Sequence, residues 1–410
     1  MSKLHSKSAA TLTPIVALIS CFFAPSAFAS LFISPHGSGR DAELAGNTVA
    51  SPDDGSSALQ FNPAGVAGPV RDQALAAVLA FGYVTHYQND ATGYDGTGNK
   101  TPINLSLWYG LGEVGGWSLG IGAYGALGTA YDLPADPDIG LSSPYTGQLG
   151  ILNFGINIGR EVLPGLRVGA QLTPAHGKQR VRTPSPLGPV DVKANGFGLS
   201  SMVGVVYTPT PTWSMGLSYR SRGFIDMEGD GSVGGEQQDI SVDFVTPQML
   251  MGGVAYQWSE RLNLMGQLSW MRFNDFEHGE VKFEKSPLLN QPVMTNTQNR
   301  VRWGVGLEFL TVPNSMLRIG YTESKAALSD AGMRPMMFDN DNRMLMAGYE
   351  IDYGTLMLGF NVGLTTLATR NVSAQDNPAF PGRYAADADM SAGIRVTWKL
   401  QNRRSAKTAK

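Results

Sequence analysis

The feature that most constrains this chain is an alternation of large apolar residues with small or polar ones, repeated along most of its length. Residues 152–159 are typical, because Leu, Phe and Ile occupy the even positions and only Asn and Gly occupy the odd positions. The pattern returns in residues 166–173, 213–220, 301–309, 356–364 and 390–400. A period of two is typical of β-strands with one apolar face. Most of the chain is therefore predicted to be β-sheet.

Fourteen segments carry this pattern, and the connections between them alternate in length. The predicted strands cover approximately residues 73–87, 103–111, 117–125, 148–160, 166–176, 196–208, 213–224, 248–258, 262–273, 300–310, 316–323, 342–351, 355–365 and 389–400. Six short turns interleave with seven long loops. A bacterial outer-membrane barrel with an even number of strands and both chain ends in the periplasm requires this arrangement. A soluble sandwich gives no reason for it.

The composition agrees with a membrane barrel. Gly accounts for 50 of the 410 residues, and only 16% of the residues are charged. Helical bundles are disfavoured because each Gly weakens a helix by about 1 kcal/mol. After residue 29 no apolar run reaches the ~18–20 residues that a membrane-spanning helix needs, and a β-structure in hydrocarbon must close to pair its backbone groups. The predicted fold class is all-β, a 14-stranded antiparallel transmembrane β-barrel spanning residues 71–400.

The tryptophans are expected to mark the membrane interface. All seven lie within predicted strands or at their ends, and many are close to the short turns: Trp108, Trp117, Trp213, Trp258, Trp270, Trp303 and Trp398. Amphipathic rings at these levels are typical of the aromatic girdle of a barrel. Core packing is the alternative for any single one of them.

The first 29 residues read as a secretory signal peptide. Lys3 and Lys7 precede an apolar run over residues 12–24, and Ala27-Phe28-Ala29 provides a small-x-small cleavage site before Ser30. The chain is therefore expected in the outer membrane of a Gram-negative bacterium. Its only cysteine, Cys21, lies inside this segment, so disulfides and thiolate metal sites are not expected in the mature protein.

Residues 18–21 also resemble a lipoprotein processing box, in which Cys21 would carry the lipid. The apolar run continues through residues 22–24, whereas a mature lipoprotein usually begins with polar residues. Intact mass decides between the two, because a chain that begins at Ser30 carries no lipid on Cys21.

The charge balance excludes a basic nucleic-acid-binding face. Residues 401–410 form a basic tail with four Lys and Arg and no acid. Without that tail and the two leader lysines, 25 Lys and Arg remain against 34 Asp and Glu, so no nucleic-acid partner is implied. The last predicted strand ends at Trp398 and Leu400 before this tail, whereas barrel chains usually end on an aromatic residue that the assembly machinery reads. The sequence leaves open whether assembly uses an internal signal.

Residues 30–70 precede the first strand and have no period-two pattern. They are rich in small and turn-forming residues, notably in 37–40, 51–57 and 62–65. A fourteen-stranded barrel is wide enough to hold such a segment. We therefore expect residues 30–70 to plug the lumen.

This segment contains several short motifs, which are Gly39-Arg40, Ala45-Gly46, Asp53-Asp54 and Asn62-Pro63-Ala64. Together they resemble the N-terminal hatch of the FadL/TodX family of outer-membrane transporters for long-chain fatty acids and aromatic hydrocarbons. Phe32 resembles the apolar residue near the mature N-terminus of that family. Residues 207–226, residues 258–273 and the last strand share the likeness. We call residues 30–70 the hatch.

The resemblance implies passive uptake of a hydrophobic solute. The solute would bind an external apolar groove, move to a lumenal pocket beside the hatch, and leave sideways where the third strand bends inward. Tyr124, Gly125 and Gly128 match the region of that bend, and glycine favours bulges there. An ordinary strand end is the alternative. The solute itself stays open between a long-chain fatty acid and an aromatic hydrocarbon of the toluene or xylene type.

Two further predictions concern ligand contacts. Residues 326–338 and 126–145 place Leu, Met and aromatic side chains in loops expected to face water, as in an apolar binding groove, with loop-on-loop packing as the alternative. Lys178, Arg180 and Arg182 are candidates for attracting a carboxylate head group, as cations near the ligand do in relatives. Inward charges are expected to pair with the hatch acids: Arg167, Arg220, Arg222, Arg302, Glu308, Arg318, Glu350 and Arg395 with Asp41, Glu43, Asp53 and Asp54.

Two other functions were compared with this one. A barrel hydrolase would need catalytic groups near His86 or His176, but the sequence verifies no Ser–His–acid arrangement. A general porin would need neither the hatch nor apolar loops. No enzyme activity, cofactor or metal is expected, and residues 226–231 read as a loop. The expected partners are a hydrophobic solute, outer-membrane lipid and the barrel-assembly machinery, with the chain as a monomer.

Overall fold

The computed structural model describes residues 37–89, 92–100, 103–133, 145–183, 188–335 and 339–400. The predicted signal peptide, Phe32, residues 134–144 and the basic tail lie outside the described residues.

Twenty-one strand segments form one continuous antiparallel sheet in the described residues. In chain order they are β1 (Gln73–Asn89), β2 (Tyr94–Lys100), β3 (Ile103–Val114), β4 (Trp117–Leu133), β5 (Tyr145–Leu163), β6 (Leu166–Thr183), β7 (Val190–Thr210), β8 (Trp213–Arg220), β9 (Gly223–Val233), β10 (Glu236–Thr246), β11 (Met249–Ser259), β12 (Leu262–Met271), β13 (Glu280–Phe283), β14 (Gln291–Pro292), β15 (Arg300–Val312), β16 (Ser315–Ser324), β17 (Asn342–Asp352), β18 (Leu356–Leu367), β19 (Arg370–Val372), β20 (Gly382–Ala386) and β21 (Asp389–Lys399).

These segments make a closed barrel of fourteen strands, as the sequence predicts. The pairs β2–β3, β8–β9, β10–β11 and β20–β21 each form one barrel strand, while β13, β14 and β19 belong to loops. The sheet closes because β1 pairs with β3 on one side and with β21 on the other, so that Val78 lies opposite both Leu105 and Ile394. Each predicted strand coincides with an observed one, and the observed strands are mostly longer.

The loop expected between the seventh and eighth strands is instead a long hairpin. β9 and β10 extend the wall and turn at Gly234 and Gly235, both of which have positive φ. The prediction that residues 226–231 form a loop is therefore wrong. The alternation is present in β9, but Ile225 and Met227 are buried while Asp226 is exposed. This polarity is the reverse of that of a lipid-facing strand, which is why the segment was missed.

The outer surface carries the apolar residues of the alternation. Its exposed side chains include Phe154, Ile156, Leu217, Val305 and Phe360. Five tryptophans are exposed on this surface, as a girdle requires: Trp117, Trp213, Trp258, Trp303 and Trp398. The girdle prediction is wrong for Trp108, because this side chain is buried and its indole N–H donates to the Val70 carbonyl at 2.9 Å.

The described part of the hatch lies inside the barrel. It forms two short helices, α1 (Arg40–Glu43) and α2 (Gly55–Gln60), and a 3-10 helix, Pro63–Ala67, before the 3-10 helix Pro69–Asp72 leads into β1. Asp54 caps α2 by accepting from the Ser57 N–H at 2.9 Å. Among the described residues, no helix is long and apolar enough to cross a membrane.

Glycines on the inner wall let the hatch backbone approach closely. A Cβ added at Gly320 would overlap the Leu44 backbone, one at Gly169 would overlap the Pro63 backbone, and one at Gly216 would overlap the Val49 carbonyl. The high Gly content is thus partly explained, because these inward positions must stay empty of side chain.

The two ends of the barrel differ. One end of the barrel carries the six short turns, and we call it the short-turn end. β1 begins there and β21 finishes there. The other end carries the long connections and is the long-loop end. In outer-membrane barrels the short turns are periplasmic and the long loops are external.

Candidate functional site

The hatch is attached to the wall by a network of buried charges. Arg40 donates to both carboxylate oxygens of Glu308, at 2.8 and 2.9 Å. Arg318 and Arg395 of the wall both donate to Glu43 of α1, at 2.6 and 3.1 Å. These side chains are almost inaccessible to water, where an unpaired charge is costly. The predicted ion pairing between wall and hatch is confirmed for Glu308, Arg318 and Arg395.

The charge network extends along the wall. Glu308 also accepts from Arg318 at 2.6 Å, and Glu350 pairs with Arg318 and Arg395 rather than with a hatch residue. We define the charge network as Arg40, Glu43, Asp54, Glu308, Arg318, Glu350 and Arg395. Arg395 reaches Asp54 only at 3.9 Å.

Asn62-Pro63-Ala64 forms a second attachment. The Asn62 amide nitrogen donates to the Val49 carbonyl at 2.8 Å and to the Val205 carbonyl of β7 at 3.0 Å. The oxygen of the same side-chain amide accepts from the Ala64 N–H at 3.1 Å. One side chain therefore joins two turns of the hatch to the wall. The Ser51 hydroxyl donates a hydrogen bond to the Asp53 carboxylate. Gly39 precedes α1 and has a φ of 72°, a backbone conformation that favours glycine.

Asp41 is a hatch carboxylate that accepts hydrogen bonds from hydroxyl groups. The hydroxyls of Thr48 and Ser57 donate to it at 2.8 and 2.6 Å, and Ser56 donates to its second oxygen. Burial, followed by the nearby charge of Asp54, raises the pKa of Asp41 to about 7, while the three hydroxyl hydrogen bonds act in the opposite direction.

Beyond the hatch, towards the long-loop end, the lumen becomes apolar. One cluster of buried side chains runs from Val49 and Phe61 of the hatch to Tyr384 in the extended wall. Methionine and phenylalanine are prominent in it: Met202, Met227, Met249, Met251, Met271, Met294, Met333, Phe244, Phe273, Phe276 and Phe283. Methionine packs adaptably around irregular apolar shapes.

A cavity, which we call the lumen pocket, lies where the apolar cluster meets the hatch. It is lined by Ala126, Ile151, Asn153, Ala175, Leu199, Ser200, Arg220, Gly223, Ile225, Thr246, Pro247 and Met249. It offers about 30 Å³ of space to the centres of water molecules, which is room for roughly two waters. A larger solute must therefore displace side chains, and methionines are the easiest to displace.

Arg220 is the cation of the lumen pocket. Its guanidinium donates to the Gln60 carbonyl of the hatch at 2.6 Å and lies 5.9 Å from the centre of the Tyr124 ring. Among the described residues no carboxylate is within ion-pair distance of it. The sequence places Arg220 correctly on the lumen side, but its expected hatch carboxylate is replaced by a backbone carbonyl.

The wall beside the lumen pocket is incomplete. The ladder between β3 and β4 stops at Ser106 opposite Tyr124, although β3 begins at Ile103 and β4 continues to Leu133. On the other side, the β4–β5 register shifts between Gly125 and Leu127, which leaves Ala126 as an extra residue. We call this place the β3–β4 seam. An irregularity therefore exists at the Tyr124–Gly128 position indicated by the sequence.

Other predicted contacts lie elsewhere. Lys178, Arg180 and Arg182 are exposed on the outer face of β6, away from the lumen pocket. The expected apolar groove over residues 326–338 is wrong for its described part, because Ala327, Leu328 and Met333 are buried in the apolar cluster. Loop-on-loop packing explains their apolar character. Residues 336–338 lie outside the described residues.

Among the described residues, His86 and His176 do not form a hydrolase site. His86 contacts Thr97 at 3.3 Å and Asp387 at 3.2 Å on an accessible surface, and the His176 ring lies 5.0 Å from that of Phe197. Neither has a serine partner in the part of the chain that the structure describes. No group of three metal-ligating side chains occurs there either.

A closed fourteen-stranded barrel with an internal plug and an apolar lumen defines a class of proteins, the outer-membrane channels for hydrophobic substrates. Within that class the chain belongs to the outer membrane protein transport family (OMPP1/FadL/TodX), whose model matches residues 16–398. This family consists of transporters.

Solved structures share the fold. A FadL homologue of Pseudomonas aeruginosa superposes with a TM-score of 0.76 at 15% identity, covering 91% of this chain and 100% of that one. The Pseudomonas putida toluene transporter TodX gives 0.71 at 15% identity, covering 92% and 100%. The Ralstonia pickettii toluene transporter TbuX gives 0.66 at 15% identity, with the same coverage.

One curated relative is named as an outer membrane protein of Neisseria meningitidis serogroup B. It is 21% identical over 249 residues, which are 52% of this chain and 53% of the relative. The chain thus spans about half the length of that relative.

Proposed function

We propose that this protein is a passive channel for hydrophobic solutes with an anionic head, of the long-chain fatty acid kind. The observation that carries the proposal is the lumen pocket, in which a single cation lies at the boundary between the apolar cluster and the hatch. An apolar chain would lie among the methionines and phenylalanines. Its carboxylate would accept hydrogen bonds from the Arg220 guanidinium.

Arg220 suits this role because no carboxylate among the described residues forms an ion pair with it. The arginines of the charge network each have carboxylate partners at 2.6–3.1 Å. Arg220 instead donates to one carbonyl and packs on a ring, so a solute carboxylate would supply the missing anion without displacing another. An uncharged aromatic solute would leave that cation without an anion.

The β3–β4 seam supports a lateral exit. It lies beside the lumen pocket, since Ala126 belongs to both. A solute that partitions into lipid would leave through the wall without crossing water. The hatch, held by the charge network and by Asn62, would stay in place during this passage.

The proposal includes export and assembly. The leader would be removed before Ser30, and the barrel would be inserted as a monomer by the assembly machinery. Intact mass of the mature protein tests the cleavage site. The arrangement supports a transport role and not a hydrolytic one.

The head-group role of Arg220 can be tested by binding. Oleate and oleyl alcohol share the apolar chain and differ in the charge of the head. We expect the wild type to bind oleate roughly tenfold more tightly than the alcohol, and Arg220→Gln to bind both alike. Gln keeps a donor for the Gln60 carbonyl, so the hatch contact is preserved.

Uptake tests the function itself. A deletion strain that expresses the wild type should take up radiolabelled oleate faster than the empty strain. Equal uptake in the two strains would refute the channel proposal. Uptake of toluene without uptake of oleate would refute the anionic head and favour an aromatic hydrocarbon.

A further inference from the structure

A stripe of cations runs along the outer face of the wall near the long-loop end. Lys178, Arg180 and Arg182 occupy alternate positions of β6, so their side chains leave the same face, and all three are exposed. Lys193 of β7 lies opposite Arg180 and is also exposed. We call Lys178, Arg180, Arg182 and Lys193 the cationic stripe.

The cationic stripe begins where the lipid-facing surface ends. On β6 the outer face carries no charge between Val168 and His176, and the stretch from Leu166 to His176 is eleven residues long. A transmembrane strand needs roughly 9–11 residues to cross the hydrocarbon. Lys178 is the next outward-facing residue after His176. It therefore lies at the level of the lipid head groups.

Aromatic side chains mark the same boundary. The His176 ring lies 5.0 Å from the ring of Phe197, which is strongly exposed on the outer face of β7. On β9, exposed Phe224 lies opposite Leu199, one outward position further from the cations. Girdles of aromatic residues flank the apolar band of outer-membrane barrels. The head groups of the external leaflet must therefore meet Lys178 and Arg180 directly.

The neighbours of the stripe leave it open on one side. On β5 the residues opposite Lys178 and Arg180 are Gly150 and Gln148, which carry no charge. A Cβ added at Gly150 would meet nothing within 4 Å, so a shallow groove lies beside the cations.

On the other side, acids limit the stripe. Arg182 is 3.9 Å from Asp191, and Asp230 of β9 lies opposite Lys193. No carboxylate partner of Lys178 or Arg180 occurs among the described residues. These two cations are therefore available to an external anion.

We propose that the cationic stripe binds the phosphate groups of lipid A, the lipopolysaccharide anchor of the external leaflet. Guanidinium and ammonium groups bind phosphate by charge-assisted hydrogen bonds. The acyl chains would continue along the apolar surface formed by Leu172, Phe197 and Leu199, directly below the cations. Leu199 also borders the lumen pocket, but none of the four cations lines it, so the inference does not depend on the transported solute.

The test compares two double variants of the full-length barrel. Lys178→Ala/Arg180→Ala removes the two cations without partners. Lys325→Ala/Arg343→Ala removes two exposed cations of the opposite wall, which already pair with Asp341 at 2.7 Å and Glu323 at 3.8 Å. Heat-modifiable migration in gels verifies folding of both. Binding of purified bisphosphorylated lipid A in detergent is then titrated by native mass spectrometry.

We expect the stripe variant to bind lipid A roughly 25-fold more weakly, at about fivefold per cation, and the control to match the wild type. Dephosphorylated lipid A should bind the wild type as weakly as the stripe variant binds intact lipid A, a result that needs no variant to fold. Equal affinity of the stripe variant and the wild type would overturn the proposal. So would equal binding of phosphatidylglycerol, or complete competition by inorganic phosphate, because either would indicate a general anion surface.

Discussion

The two halves of the lumen are built on opposite principles. Around the hatch, towards the short-turn end, buried Arg and Glu side chains are joined by short, directional hydrogen bonds. Towards the long-loop end, the largest buried cluster consists mainly of Met, Phe and Val side chains. The same barrel wall encloses both halves, so the difference lies only in which residues point inward.

This difference separates two tasks. A directional network has one good geometry, and loss of any partner leaves a buried charge unpaired. Dispersion contacts among flexible side chains have many geometries of similar energy. The hatch half is therefore suited to closing the barrel, and the apolar half is suited to admitting solutes of variable shape. The lumen pocket and Arg220 lie at the boundary between them.

The hatch half should be most sensitive at Glu43, which two buried arginines share. Glu43→Gln leaves Arg318 and Arg395 partly unpaired, and we expect the docked hatch to lose about 3–5 kcal/mol. Hatch exposure can be followed by thiol labelling of Ser38→Cys, because Ser38 is fully buried and residues 30–410 contain no other cysteine.

The matched control for this experiment is Glu113→Gln. Glu113 pairs with Arg71 at 2.8 Å, but both side chains are substantially exposed. Such a pair contributes at most about 1 kcal/mol. Equal labelling rates in the two variants would contradict the latch role of the charge network.

A smaller effect should follow from adding a side chain to the inner wall. Gly320→Val places methyl groups where the Leu44 backbone lies, and overpacking of this kind costs about 1–3 kcal/mol. We expect faster labelling of Ser38→Cys. Gly266→Val is the control, because a Cβ at Gly266 meets nothing within 4 Å; it should leave labelling unchanged.

The β3–β4 seam should affect transport but not the hatch. Gly125→Val with Gly128→Val adds β-branched bulk beside the bulge and stiffens β4. Oleate uptake should fall by roughly tenfold, which is ~1.4 kcal/mol in the barrier, while Ser38→Cys labelling stays at the wild-type rate. Unchanged uptake would remove the exit from this seam.

The smallest expected effect is a pH dependence of the docked hatch. The pKa of Asp41 is about 7 in the folded protein against an ordinary 3.8, so the docked hatch binds this proton more tightly than the released one. Docking should therefore strengthen as pH falls from about 7 towards 4, and this contribution should be lost as pH rises through about 7. Because thiol reactivity itself rises with pH, the labelling rate of Ser38→Cys is divided by the rate of the denatured protein at the same pH. This ratio should be smaller at pH 6 than at pH 8. In Asp41→Asn that difference should disappear.

Much of the barrel could be predicted because its constraints are local. Lipid contacts every second residue of a strand, so the alternation in residues 152–159 reports directly on its surroundings. The apolar alternation weakens as a signal where a strand extends beyond the membrane, as in β9, because the outer face of the strand then contacts water and not lipid. The same limit applies to Trp108, because the residues around a tryptophan in a strand do not indicate whether its ring contacts lipid or the hatch.

The contacts of the site depended on pairing between distant segments. The sequence identifies Arg220 and Lys178 alike as cations near a strand end, and only the register places one beside the lumen pocket and the other on the outer wall. The apolar residues 326–328 likewise suggested an exposed groove, but the fold buries them.

By itself the sequence determined that this chain is a closed barrel of fourteen strands with a non-strand segment before the first, because the period of side-chain polarity follows from the two-sided environment of each strand. Only the tertiary structure decided which charges meet, where the wall ladder stops and that Arg220 lies beside the lumen pocket without a carboxylate partner among the described residues. Those features arise from residues hundreds of positions apart, such as Arg40 and Glu308, and no local pattern records such a distance.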